Sequence, residues 1–291
     1  MSRIALIGHR GARGLFPENT LAGFRAAAAL GIDAIELDVA LSADGVAVVS
    51  HDPRLSPDLA RGADGAWLVA PGPLIRALPA AALAGFDVGR ARPDGAVAAA
   101  FPDQVAVDGA RIPTLEAALG LRGIDVLIEL KTFPDHPDWT AAPEAMAEAV
   151  LAAAERASAT ARIMVESFDW RGPRHLGRIR PGLARAWLTR AATVAAADLW
   201  WGGPRPGDFG GSVPRAVAAE MAADDPPGVW APEHVDLTPE LIAEAHDLGL
   251  RVVAWTVNAP ADMARLIGWG IDGIVTDRPD LGRRALAQPR A

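Results

Sequence analysis

Short β-branched runs alternate with Ala-rich, helix-length stretches along the whole of this 291-residue chain, and polar residues gather where those runs end. The two observations predict an α/β protein whose parallel strands close into an eight-stranded (β/α)8 barrel. An open doubly wound sheet shares the alternation, but it concentrates its chemistry at one switch point, whereas a barrel spreads chemistry over many strand ends. Candidates here fall at several ends: His9 after the first run, Glu36 and Asp38 in the second, His51 after the third, Glu129 and Lys131 at the fourth and Trp255 at the eighth. No Gly-x-Gly-x-x-Gly follows the first run, and the GHRGARG of positions 8–14 has a His-Arg pair inside it, which further weakens a dinucleotide-binding sheet.

Taken in order, strands are expected at Ile4 to Ile7, Ala34 to Val39, Val46 to Ser50, Asp125 to Leu130 and Ile163 to Glu166. Four more follow at Leu183 to Leu188, Val229 to Ala231, Arg251 to Thr256 and Gly273 to Val275. Helix ends are readable between them. Asn19 or Thr20 caps a helix that stops at Gly31, Thr238 with Pro239 opens one ending near Gly249, and Pro260 sits in a first turn with Gly270 past the end.

Nine runs compete for eight positions, because only Ala40 to Gly45 separates the second from the third and Asp44-Gly45 is a hairpin-type turn. If Asp38 and His51 share one barrel mouth, the chain is expected to descend through Val39 to Ala43 and rise again. From Pro53 to Pro113, 61 residues carry eight prolines and seven glycines without a helix-strand rhythm. A stretch of that length inside a compact domain reads as a small inserted subdomain after the third strand, lying over the mouth. Residues 1–291 are therefore expected to form one barrel domain with an insertion at about 53–113.

Composition narrows the function. Hydrophobic residues make up 51% and the formal charge is −8 with a pI near 5.3, so the chain is globular and unsuited to nonspecific binding of nucleic acid or anionic membrane. The absence of cysteine excludes disulfides, zinc-thiolate sites and thiol nucleophiles. No signal-peptide pattern or run of ~18 apolar residues occurs, and a cytoplasmic protein without stable membrane insertion is expected.

Glu36 and Asp38 lie two apart on a strand, so both carboxylates project from one face, inward in a barrel. Two buried like charges cost several kcal/mol each, at roughly the scale of desolvated ions, unless positive charge meets them. Glu129 adds a third carboxylate and Lys131 a cation on the same face. Three carboxylates without cysteine suit one hard divalent cation, Mg²⁺ or Ca²⁺, while salt bridges from Glu36 or Asp38 to Arg10 or Lys131 are the structural alternative. His9 and His51 are a pair of proton-transfer groups, such as a phosphodiester needs at its attacking and leaving oxygens. Arg10 offers a planar fork and Lys131 a point charge to phosphate oxygens. Trp255 is either a platform for a small organic moiety or plain core. Asp52 is expected to hold a loop or orient a neighbour. His175 and His246 are expected to be solvated, and His136 and His234 to have no partner at the mouth.

These residues sit in a recognisable order. His9-Arg10-Gly11, Pro17-Glu18-Asn19-Thr20, Gly31-Ile32-Asp33 leading to Glu36-Leu37-Asp38-Val39, Asp44-Gly45 and His51-Asp52 closely resemble the N-terminal signature of glycerophosphodiester phosphodiesterases. The likeness continues in Glu129-Leu130-Lys131, Glu166-Ser167-Phe168, Trp255-Thr256-Val257-Asn258 and Gly270-Ile271-Asp272-Gly273-Ile274 through Thr276-Asp277 and Pro279. The resemblance implies a TIM barrel with a subdomain inserted after the His-Asp pair. It implies a divalent metal at Glu36, Asp38 and Glu129, acid/base chemistry by His9 and His51, and phosphate contacts from Arg10 and Lys131. The implied reaction is hydrolysis of a glycerophosphodiester to glycerol 3-phosphate and an alcohol. Relatives that act on lysophospholipids, or pass through a cyclic phosphate as a sphingomyelinase D does, keep a second enzymatic reading open, and a non-catalytic glycerophosphodiester-binding protein is the reading from another class. Two departures stand out: Leu55-Ser56-Pro57 where many members carry an Arg-Thr pair, and Glu166 where a small polar residue often precedes Ser-Phe.

Overall fold

The computed structural model describes residues 3–222 and 225–288. Nine strands form one sheet: β1 (Ala5–Gly8), β2 (Ala34–Leu41), β3 (Ala47–Val49), β4 (Asp125–Leu130), β5 (Ile163–Ser167), β6 (Ala184–Thr189), β7 (Val229–Pro232), β8 (Arg251–Ala254) and β9 (Gly273–Thr276). Eight of them run parallel in the order β1-β9-β8-β7-β6-β5-β4-β2, and pairing of β1 with β2 closes the ring. The protein is thus the TIM barrel that its alternation predicts.

Each strand splits its side chains between two environments, as the period of two requires. Leu6, Leu37, Ile128, Val165, Trp187 and Trp230 point outward and are buried under the helices. Ile7, Ala34, Leu127, Ala186, Val229, Val253 and Val275 point inward and fill the lower barrel. The helices begin and end where their sequence signals stand. Thr20 accepts from the Gly23 amide to cap helix Leu21–Ala29, which ends before Gly31 in the left-handed region at φ 72°. Thr238 caps Pro239–Asp247 in the same way, and Pro260 opens Pro260–Gly268. Among the described residues, no helix is long and apolar enough to cross a membrane.

The third run departs from expectation. β3 is antiparallel to β2, with Val39 opposite Val49 and Leu41 opposite Ala47. The chain does not descend from Asp38 and rise again. Instead β2 continues above the ring and β3 returns downward, so that the Ser50 amide donates to the Asp38 carbonyl at 3.0 Å. The physical reason is in the turn: Ser42 and Val46 bond across Asp44-Gly45, with Gly45 at φ 75°, which closes a tight hairpin at the top of β2. β3 therefore stands outside the ring.

Residues 53–113 leave from the end of β3 and come back to it, where the Val49 amide donates to the Pro113 carbonyl at 2.9 Å. Leu55, Ala60, Ile75, Leu83 and Ile112 pack on Ala40 and Val48 of the hairpin as a separate apolar cluster. The same segment reaches the loop after β1: Gln104 donates to the Arg13 carbonyl at 2.7 Å, and the Arg13 guanidinium lies 4.6 Å from the Phe101 ring centre.

Ile128 is fully buried between the ring and its helices. Ile128→Ala is expected to cost ~2–5 kcal/mol through lost contacts and a residual cavity, read from the midpoint shift in urea unfolding followed by circular dichroism. A loss under about 1 kcal/mol would mean that the outer face of β4 is not tightly packed.

Candidate active site

The C-terminal mouth of the barrel holds a cavity of about 380 Å³. Strand alternation carries its residues there. The inward rows that begin with Ile7, Leu127, Ala186, Val253 and Val275 continue upward to His9, Glu129 and Lys131, Arg190, Trp255 and Asp277, all of which line the cavity.

The turn after β1 is built by its own sequence. A Cβ on Gly8 would stand 1.8 Å from the Gly11 carbonyl oxygen, so only glycine allows the chain to fold back there. Arg10 takes a left-handed φ of 50°, and its amide thereby donates to Glu36 Oε2 at 2.7 Å. Asn19, at φ 55°, donates from Nδ2 to Asp38 Oδ2 at 2.9 Å. Two non-glycine residues in this region are costly and occur where surrounding contacts hold them.

Glu36, Asp38 and Glu129 are all buried and offer carboxylate oxygens within 4.8 Å of one another. The structural salt bridges are present in part. Asp38 lies 3.2 Å from Arg10 Nε and 3.7 Å from Lys131 Nζ, and Glu129 lies 2.8 Å from Lys131 Nζ. Among the described residues Glu36 has no such cation, apart from the His9 ring at 3.9 Å. Burial, together with Asp38, Glu166 and Glu129, pushes the Glu36 carboxyl well above the usual carboxylate range. Asp38 moves the other way: burial opposes its charge, but His51, Arg10 and Lys131 hold it below the usual range. Burial raises Glu129 against the pull of Lys131, and burial beside Glu129 and Asp38 pushes Glu166 up to about 8. Glu36 Oε1 and Asp38 Oδ1 are buried without a hydrogen-bond partner among the described residues. Oxygen donors, two orphaned atoms and a deficit of positive charge fit a hard divalent cation.

The two histidines are each oriented by a carboxylate. His9 Nδ1 is 2.6 Å from Asp277 Oδ1, which leaves Nε2 facing the cluster. Asn258 in turn donates to Asp277 Oδ2 at 2.7 Å. His51 Nδ1 is 2.7 Å from Asp52 Oδ1, so Asp52 orients its neighbour. Burial lowers both imidazoles from their ordinary value, helped by Arg10 at His9 and by Lys131 at His51.

Arg10 is buried with its guanidinium held by Glu18 at 2.8 Å, while Arg13 holds the other Glu18 oxygen at 2.9 Å. Arg10 and Lys131 line the cavity and both are already paired, with the Asp38 contacts matching the structural alternative and the Glu18 and Glu129 contacts adding to it. Trp255 is half-buried at the rim, its Nε1 donating to the Ala231 carbonyl at 2.8 Å and its ring edge-on to Phe168. Glu166 is buried in the barrel. The remaining histidines stand apart from the cavity. His246 is exposed and pairs with Asp272, His136 stacks on Trp139, and His234 is half-buried after β7. His175 is half-buried against Glu148 rather than solvated, because its helix lies against Pro143–Arg156.

Sequence reasoning assigns no role to Glu18, Asn258 or Asp277 and offers Asn19 only as a helix cap; Thr20 is the cap, and the four residues brace Arg10, Asp38 and His9. A polar residue directly after a strand was the available signal for Asp277. The others sit in loops, where no periodicity reports what they face.

The model of the glycerophosphoryl diester phosphodiesterase family matches residues 9–281. A glycerophosphodiester phosphodiesterase of Caldanaerobacter subterraneus subsp. tengcongensis is 28% identical over 276 residues, covering 94% of each chain. A solved structure from Silicibacter pomeroyi, provisionally named as a glycerophosphoryl diester phosphodiesterase, superposes with a TM-score of 0.87 at 38% identity, covering 98% of this chain and 93% of that one. A phosphodiesterase of Oleispira antarctica shares the fold with a TM-score of 0.67 at 22% identity, over 98% and 97% of the two chains. With the family model spanning nearly the whole sequence, the chain belongs to the glycerophosphoryl diester phosphodiesterase family, an enzyme of the phosphoric diester hydrolase class.

Proposed function

We propose that the chain hydrolyses glycerophosphodiesters to glycerol 3-phosphate and an alcohol, using one divalent cation and proton transfer by His9 and His51. The observation that carries this reading is the pairing of two carboxylate-oriented imidazoles with a buried three-carboxylate cluster in one mouth. The solved structure of the Oleispira protein is a complex with the product sn-glycerol-3-phosphate, and the proposed product here is the same.

Glu36, Asp38 and Glu129 would hold the ion, Mg²⁺ or Ca²⁺, which when bound supplies positive charge to a nonbridging phosphate oxygen and acidifies the attacking hydroxyl. His9 acts as general base at Nε2, because Asp277 engages Nδ1 and fixes the tautomer. Burial and Arg10 lower its pKa, which favours the unprotonated form that this role needs. His51 acts as general acid toward the leaving alcohol, its ring held by Asp52; burial and Lys131 favour its neutral form, and Asp38 and the Asp52 hydrogen bond work against them to favour the protonated form that this role needs. Arg10 and Lys131 oppose the phosphate charge, each kept in place by its acidic partner. Trp255 offers apolar surface to the organic part of the substrate. On this reading residues 1–291 are one barrel domain, with residues 53–113 inserted above the mouth.

Three measurements test it. Treatment with EDTA is expected to abolish release of glycerol 3-phosphate from glycerophosphocholine, with recovery on adding Mg²⁺ or Ca²⁺; full activity in the chelated, metal-free protein would sink the metal assignment. His51→Ala is expected to lower kcat by about 10²-fold or more, and a near-native rate would remove it from the chemistry. Asp277→Asn is expected to lower kcat by at least about tenfold with little change in KM, since a mis-set tautomer impairs proton transfer more than binding. An unchanged kcat would leave Asp277 a merely structural partner.

A further inference from the structure

The cavity has two unlike walls. On the side of β1 to β4, every cation that lines it has an acidic partner: Arg10 and Arg13 bond Glu18, and Lys131 bonds Glu129. On the opposite side, Arg190 continues the inward row of Ala186 and Leu188 one step past the end of β6. It is exposed at the rim, lines the cavity, and has no carboxylate within salt-bridge distance among the described residues. The acidic side chains lining the cavity, Glu36, Glu129, Glu166 and Asp277, are all 9% exposed or less and lie below it.

Arg190 also changes what the aromatic surface beside it favours. Phe168 and Trp255 meet edge to face with centroids 5.3 Å apart, an arrangement that could hold a quaternary ammonium against ring faces. The face of Phe168 is already occupied, because the Arg190 guanidinium lies 5.6 Å from its centre. A second cation there would meet like charge, whereas an anion would meet an unpaired planar fork held by an aromatic platform; the Asp236 carboxylate in the neighbouring loop is engaged by the Ala191 amide at 2.8 Å.

We infer that Arg190 is a specificity residue that favours glycerophosphodiesters whose alcohol carries a second anionic group, such as a phosphate monoester or a carboxylate, over those with a quaternary ammonium. The inference rests on the hydrolase reading above and names the substrate class of that same site. The diester is engaged at the wall of histidines and carboxylates, and its alcohol extends toward Phe168, Trp255 and Arg190. Because the guanidinium is solvent-accessible, its effect is moderate and falls with salt.

The test compares kcat/KM for glycerophosphoglycerol, its terminal phosphate monoester, glycerophosphoserine and glycerophosphocholine in the native enzyme and in Arg190→Gln and Arg190→Glu. The native enzyme is expected to prefer the phosphorylated substrate over glycerophosphoglycerol by about fivefold at low salt, with glycerophosphocholine the poorest. Arg190→Gln should bring the first ratio to about one, and Arg190→Glu should invert it and make glycerophosphocholine the best of the four. Preference for glycerophosphoserine as well would mark a general anion site, and preference for the monoester alone would narrow the class to phosphates. Ratios within one protein cancel losses of folded enzyme. Turnover of glycerophosphoglycerol with no anion preference, or with a preference that both variants retain, would overturn the assignment and leave the hydrolase reading intact. No glycerol 3-phosphate from any substrate would overturn both.

Discussion

Three carboxylates placed inside a barrel impose the constraint around which the mouth is organised. Unrelieved, each buried charge would cost several kcal/mol, and the chain meets that cost with elements from four directions. Arg10 turns left-handed to bring its amide to Glu36, Asn19 does the same to bring its amide group to Asp38, Lys131 folds back on Glu129, and Glu18 returns the Arg10 charge to balance. Even so, Glu36 Oε1 and Asp38 Oδ1 lack partners. These two unpaired oxygens distinguish the cluster from a buried ion-pair network in which every carboxylate oxygen is matched.

The histidines follow a second logic. Neither lies within a strand of the ring, yet both are held at a fixed orientation because each has one nitrogen bonded to a carboxylate. His9 draws its partner from the far end of the chain, 268 residues away, which is possible because closure of the ring sets β9 beside β1. Ring closure thus sets the orientation of His9 as well as the fold.

Much of the barrel was legible because strand alternation has a period that sequence displays directly. The expected run Asp125 to Leu130 coincides with β4, the other runs fall within a few residues of their strands, and Thr20, Gly31, Thr238 and Pro260 mark helix ends as expected. The same alternation brings His9, Glu36, Asp38 and Glu129 to one mouth. What was not legible has a common cause. The upward continuation of β2, the coupling of His9 to Asp277 and the engagement of Arg10 by Glu18 depend on hairpin geometry and on long-range pairing, which leave no local periodicity. His175 was misread as solvated because a helix pattern shows an amphipathic face but not the neighbour that covers it.

The hairpin has a consequence for how such a site can change over time. His51 follows a three-residue strand whose position is set by β2, and the 61 residues beyond it depart from that strand and rejoin it at Pro113. The two ends of the segment are thereby held together by backbone bonds that do not involve its interior. Lengthening such a loop adds only about 0.6 kcal/mol per doubling to the cost of closing it. The segment beyond His51 is therefore a stretch whose length can change by insertion or deletion at little closure cost, while β2 and the bond between Val49 and Pro113 keep its two ends in place.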